Sequence, residues 1–149
     1  MRYEKRVPLR VVVDTNVWVS GLVNPEDPPR GVLRAALDQR FEPISSWELA
    51  EELADVLTRL KLRRYELAAD DLRDLLLLLS GSLPSVEIEV AVRDPDDTPV
   101  VAAAVASNAD TIVTGDGDLL EDTTLRGWLA ERGIDVLTPT ELVADLGLE

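Results

Sequence analysis

Short β-branched runs recur along this chain between stretches of helical periodicity, and that alternation constrains the fold more than any other feature. Residues 9–13, LRVVV, end in three valines without polar alternation. A run this short and apolar reads as a strand buried on both faces. Residues 41–45, 86–90, 111–114 and 134–137 read as further strands. Between them, residues 31–40 form a predicted helix with Val32, Leu33, Ala36 and Leu37 on one face. Residues 24–29, NPEDPP, read as a loop. The stretch SSWELAEELADVLTRL opens a helix in which Ser45 and Glu48 fit a Ser-x-x-Glu capping box. Residues 69–80 continue as a helix ended by Gly81. Residues 97–108 are alanine-rich and helical, with Pro99 accommodated in the first turn. Residues 115–118 read as a turn, and 125–132 as a short helix. Thr138, Pro139 and Glu141 start a last short one. Strands alternating with helices imply an α/β fold: a central parallel sheet of about five strands with helices on both faces. The 149 residues suit one domain, with residues 1–8 as a flexible or edge segment.

Two absences narrow the chemistry. The chain has no cysteine and no histidine. Disulfides, thiol nucleophiles, Ser-His-Asp relays and the usual zinc sites are therefore excluded. Any bound metal would be held by oxygen, which favours Mg²⁺ or Mn²⁺. The net charge of −14 argues against a general nucleic-acid-binding surface. The first residues, MRYEKRVPLR, carry bases but no apolar h-region, so a cytoplasmic protein without a membrane span is expected.

In an open parallel sheet, ligands bind at the carboxyl ends of the strands, near the point where strand order reverses. Asp14 ends the first strand. Asp97 precedes the helix that leads to the 111–114 strand, and Asp116 and Asp118 lie in the turn after it. In the helix after the second strand, Leu49, Leu53, Val56, Leu57 and Leu60 define the buried stripe. At about 100° per residue, Glu52 lies about 80–90° from the centre of that stripe, whereas Glu51 faces solvent. Glu52 is thus expected at the core boundary, able to reach inward. Each acid alone reads more plainly as a cap or turn residue. Gathered in one cleft, they would repel one another unless a divalent ion intervened. Two ions about 4 Å apart are the usual arrangement for in-line phosphodiester displacement. Asn16 and Thr114, and less clearly Thr15, could assist by hydrogen bonding.

The segments RVVVDTNVWVSGL, ELAEELADVLTRLK and DPDDTPVVAAAVASNADTIVTGDGDLL together resemble the PIN-domain ribonucleases, and among them the VapC-like toxins of toxin–antitoxin systems. The resemblance spans roughly residues 10–137. It implies that Asp14, Glu52, Asp97 and Asp116 form the family's acidic quartet, with Asp118 as the alternative or additional metal-binding acid in the last turn. It also implies cleavage of RNA with Mg²⁺ or Mn²⁺, a cognate antitoxin as partner, and a homodimer. The strong acidity is a departure that bears on RNA binding.

Three other readings compete. A haloacid-dehalogenase-type phosphatase would explain GDGD at 115–118, but it needs an acid two residues after Asp14, where Asn16 stands, and a late lysine. The only lysines are Lys5 and Lys61. A response-regulator receiver lacks the same lysine. A non-catalytic PIN-like module that binds RNA or protein is opposed by the intact acidic set. Arg59, Lys61, Arg63 and Arg64 form the densest basic cluster and are RNA-contact candidates, with neutralisation of the helix dipole as the plain alternative. Arg30, Arg34 and Arg40 read as a solvated helix face. Five consecutive leucines, 75–79, cover every face of their helix, which implies deep burial or a self-association patch. Trp18, Trp47 and Trp128 read as core or rim packing rather than base-stacking platforms.

Overall fold

The computed structural model describes residues 8–24, 26–62, 69–81 and 99–148. Among these, four parallel strands form one sheet in the order β2-β1-β3-β4: β1 (Arg10–Val13), β2 (Glu42–Ile44), β3 (Thr111–Val113) and β4 (Asp135–Leu137). The strand expected at 86–90 lies outside the described residues, as do Asp97, Arg63, Arg64 and residues 1–7. Eight helices are described: α1 (Thr15–Val23), α2 (Pro28–Leu37), α3 (Trp47–Leu62), α4 (Ala69–Gly81), α5 (Pro99–Ser107), α6 (Gly117–Glu121), α7 (Thr123–Ala130) and α8 (Pro139–Asp145). No helix among the described residues is long and apolar enough to cross a membrane.

The valine run of β1 explains the two-sided core. Side chains alternate across a strand, so Val11 and Val13 enter one cluster and Val12 the other. The first cluster gathers Val17, Trp18, Leu33, Phe41, Leu75, Val113 and Leu142. The second gathers Ile44, Val101, Ala104, Ile112, Leu129 and Val136. Alanines in α5 let that helix approach the sheet closely. Helix α3 divides its stripe, with Leu53 in the first cluster and Leu49 in the second. It therefore spans the two cores instead of lying on one face.

Several local expectations are corrected by tertiary contacts. No helix is expected over residues 15–23, yet they form α1. Valine and glycine are poor helix formers, but burial of Thr15, Val17, Trp18, Gly21 and Leu22 overrides propensity. Helix α2 starts inside the expected NPEDPP loop, because proline is compatible with a first helical turn. The cap of α3 is Ser46, whose Oγ accepts from the Leu49 N–H at 3.2 Å. The Ser45 hydroxyl instead donates to the Ser46 carbonyl at 3.4 Å. The expected turn at 115–118 runs into α6, and Asp122 caps α7 ahead of the expected start by accepting from Leu125 N–H. The box of Thr138 and Glu141 forms as the pattern predicts.

Arg30 and Arg34 do not form a merely solvated face. Both donate to Asp71 of α4, at 2.6 and 3.2 Å, and Arg30 also donates to the Gly21 carbonyl. The five leucines split: Leu75 and Leu79 are buried, while Leu76 and Leu77 are 45% and 66% exposed. The run is thus neither wholly core nor wholly surface.

The contact between α1 and α2 depends on Gly21. A Cβ there would lie 2.8 Å from the Pro29 carbonyl oxygen and 3.1 Å from Leu33 Cβ. Alanine favours a helix over glycine by about 1 kcal/mol, but the main-chain oxygen of α2 cannot move aside cheaply. Gly21→Ala is expected to lower the unfolding free energy by about 1–3 kcal/mol, the range for overpacked sites. Urea denaturation reads the shift, and an unchanged or raised midpoint would contradict the close approach.

Candidate active site

After β1 the chain crosses to β2 on one side, and it later returns as β3 on the other side of β1. The order reverses at β1, which marks a crevice at the carboxyl ends of β1 and β3. Asp14 stands there. Its N–H donates to the Val113 carbonyl at 2.9 Å and extends the β1–β3 ladder. Its backbone then occupies the N-cap position of α1, and its carbonyl accepts from Val17 N–H. An aspartate at that position ordinarily turns its carboxylate onto the first helical N–H groups. Here the side chain makes no capping hydrogen bond. Asp14 Oδ2 accepts from the hydroxyl of Thr114 at 2.8 Å instead.

Thr114 is fully buried, at the end of β3. Its N–H donates to the Leu137 carbonyl, which ties it to β4. Its Oγ1 donates to Asp14 and accepts from the Asp116 N–H at 3.0 Å. One hydroxyl thereby sets the Asp14 carboxylate and the path of the Asp116 turn together. Asp116 Oδ1 accepts from Asp118 N–H at 2.9 Å and caps α6. Asp118 sits in the first turn of α6, exposed. Thr15 is buried and Asn16 is exposed at the start of α1.

Glu52 reaches the same space from α3. Partial desolvation holds its carboxyl above the 4.5 of a free glutamate, and the charges of Asp14 and Glu48 add to the effect. Although Glu52 is exposed as a residue, its carboxyl feels Asp14 across the crevice. It lies between buried Leu49 and Leu53 in the chain, yet as a residue it falls on the exposed side of the boundary expected from the helix angle.

The structure adds a residue that sequence reasoning missed. Arg126 of α7 donates from Nη1 to the Leu120 carbonyl at 2.9 Å and from Nη2 to the Val136 carbonyl at 2.8 Å. It fastens the last turn of α6 to β4, and so steadies the helix whose first turn holds Asp116 and Asp118. No local periodicity marks this arginine, because its partners lie on two other elements. Arg59 and Lys61 are exposed near the end of α3, and Arg59 Nε reaches back to the Asp55 carbonyl at 3.5 Å. That contact stays within the helix.

Among the described residues, no group of three or more acids stands close enough to hold an ion as it is. The candidate donors at this edge are carboxylates, a type that suits a hard divalent cation. The raised proton affinity of Glu52 comes first from burial and then from the charges of Asp14 and Glu48, and a cation would relieve only the charge part.

Residues 10–118 match the PIN domain family, and the chain belongs to it. PIN domains are generally metal-dependent nucleases, and PIN nucleases act on RNA. The chain is also 30% identical over 145 residues to an uncharacterized protein of Methanocaldococcus jannaschii, covering 94% of this chain and 92% of that one. No solved structure matches the chain.

The raised proton affinity of Glu52 has a pH consequence. Below pH 4.5 the carboxyl is protonated both folded and unfolded, and contributes no difference. As pH rises past that value, the unfolded chain releases the proton first, so the folded state loses stability until Glu52 itself ionises. Glu52→Gln should therefore be more stable than the parent near neutral pH in EDTA, with the difference fading below pH 4.5. Urea midpoints across this range read the effect, and a pH-independent difference would contradict it.

Proposed function

We propose that the chain hydrolyses RNA phosphodiester bonds with Mg²⁺ or Mn²⁺ at the carboxyl edge of β1 and β3. The observation that carries the reading is the Asp14 carboxylate. It stands at a helix N-cap but does not cap, is held by buried Thr114, and raises the proton affinity of Glu52. An acid placed that way is spared the helix cap and stands at the edge where a ligand would bind.

In this reading Asp14, Asp97 and Asp116 hold the cation, and Asp118 is the alternative or additional acid. Asp116 Oδ1 caps α6 by accepting from Asp118 N–H, and both acids are exposed at this turn. When bound, the ion screens the acids and offsets charge developing on the phosphate. Thr114 orients Asp14, and Asn16 lies one helical step away at the rim. Glu52, with its raised proton affinity, is suited to orient the attacking water and accept its proton. Water is the nucleophile, since the chain has no cysteine or histidine. Arg59, Lys61, Arg63 and Arg64 are the cationic RNA contacts.

Purified protein incubated with structured and single-stranded RNAs should cleave with Mn²⁺ or Mg²⁺ and be inert in EDTA. Glu52→Gln should lose cleavage and keep most RNA binding, and Asp14→Asn should lose both cleavage and metal-induced thermal stabilisation. Cleavage that persists in EDTA, or in both variants, would refute the mechanism.

The resemblance to toxins extends the proposal to a cytoplasmic toxin neutralised by a cognate antitoxin, and to a homodimer. Exposed Leu76 and Leu77 support a self-association face on α4. Replacing both with glutamate should give a folded monomer by light scattering, because neither supplies the buried contacts of Leu75 and Leu79. A folded variant with the parent's dimeric mass would place the interface elsewhere.

A further inference from the structure

We infer that Arg126 is a positioning residue for the cation: it holds the Asp116 turn from the far end of α6, through main-chain carbonyls of α6 and β4. The inference deepens the nuclease reading and rests on it for Asp116 as a metal ligand.

The turn has little packing to hold it. Asp116 is exposed between Gly115 and Gly117, and a Cβ at either glycine would meet nothing within 4 Å. Glycine loses more backbone freedom on ordering than any other residue. Helix α6 is five residues long, and isolated helices this short do not persist in water. Leu119 is its one buried residue. The remaining restraint is hydrogen bonding. The Asp116 N–H donates to Thr114 Oγ1, its carbonyl accepts from Leu120 N–H at 3.0 Å, and its Oδ1 accepts from Asp118 N–H.

That set of bonds is tied down at Leu120. Its N–H holds the Asp116 carbonyl, and its own carbonyl accepts from Arg126 Nη1 at 2.9 Å. The same guanidinium donates from Nη2 to the Val136 carbonyl at 2.8 Å. Among the described residues β4 is an edge strand, and successive carbonyls of a strand point to opposite sides. The Leu137 carbonyl accepts from Thr114 N–H on the β3 side, so that of Val136 faces the open edge. Strand β4 therefore holds both ends of the acid-bearing segment: Leu137 through Thr114, and Val136 through Arg126. A planar guanidinium can take two such acceptors at once, which a lysine ammonium matches poorly.

The neighbouring elements do not depend on this arginine. In α7, Leu129 is fully buried, Leu125 packs against the second core cluster, and Asp122 caps the first turn. Strand β4 is held by its ladder to β3. What the guanidinium adds is the tether on α6. Its loss frees Asp116 and leaves Asp14 in place, because Thr114 remains bound to Leu137. The consequence falls on cation affinity more than on the fold.

The test titrates metal-free full-length protein with Mn²⁺ by calorimetry at 25 °C. Arg126→Gln should weaken Mn²⁺ binding about tenfold, the lower end of the range for lost support of a metal ligand. Arg126→Lys, reaching one acceptor, should lose less. Arg10→Gln cuts a similar arginine–carbonyl link, to Ser107 at the opposite edge of the sheet, and should leave Mn²⁺ affinity unchanged. Without metal, amide hydrogen exchange at Asp118 and Leu120 should quicken in Arg126→Gln, while that of Val12 in β1 holds. If Arg126→Gln does not fold, Arg126→Lys against Arg10→Gln makes the same comparison. Equal Mn²⁺ affinity in the Arg126 variant and the parent, an equal loss in Arg10→Gln, exchange quickened evenly over α6 and β1, or a parent that binds no Mn²⁺ would overturn the inference. RNA cleavage by the parent is assayed separately. Metal-dependent cleavage with Mn²⁺ affinity indifferent to Arg126 removes the positioning role alone, whereas Arg126-dependent Mn²⁺ binding without cleavage removes the nuclease reading alone.

Discussion

The hydroxyl of Thr114 is the contact on which the carboxyl edge depends. It is buried and has one proton to give, and that proton goes to Asp14. Its oxygen takes the Asp116 N–H. A buried hydroxyl with both functions occupied has no freedom left. Two segments a hundred residues apart in sequence are thereby locked at the junction of β1 and β3. The release of Asp14 from its capping duty follows from the same bond, because a carboxylate drawn toward β3 does not turn back onto α1.

The arginines show how an acidic chain distributes its scarce positive charge. Arg10 donates to the Ser107 carbonyl, Arg30 to Gly21 and Asp71, and Arg126 to Leu120 and Val136. Each joins elements that a hydrophobic contact alone would leave free to slide. Guanidinium groups suit this work because their planar fork can reach two acceptors at once. The consequence is electrostatic: charge spent on the scaffold is withdrawn from the surface. The crevice stays acidic, and burial followed by the charges of Asp14 and Glu48 raises the proton affinity of Glu52. A site of this kind calls for a cation.

Much of the architecture was legible from local pattern. The LRVVV run can only be buried on both faces, and a strand buried on both faces needs helices above and below. The alternating elements then require parallel pairing, and parallel pairing brings Asp14, Thr114 and the Asp116 turn to one edge. The Thr138 cap was legible too, because its partners lie within one turn.

What local pattern could not contain was any choice made between elements. Residues 15–23 have weak helix propensity, and only burial against α2 makes them α1. Ser45 and Ser46 are equivalent as caps until the exit of β2 sets which one starts the turn. Arg30 and Arg126 look like surface residues until Asp71 and two main-chain carbonyls are brought to them. The sequence by itself determined the two-sided sheet and the edge on which the acids collect, since periodicity and chain direction are local properties. Only the tertiary structure decided which carboxylate was freed from capping and which arginines were consumed, because those outcomes depend on distances between segments far apart in the chain.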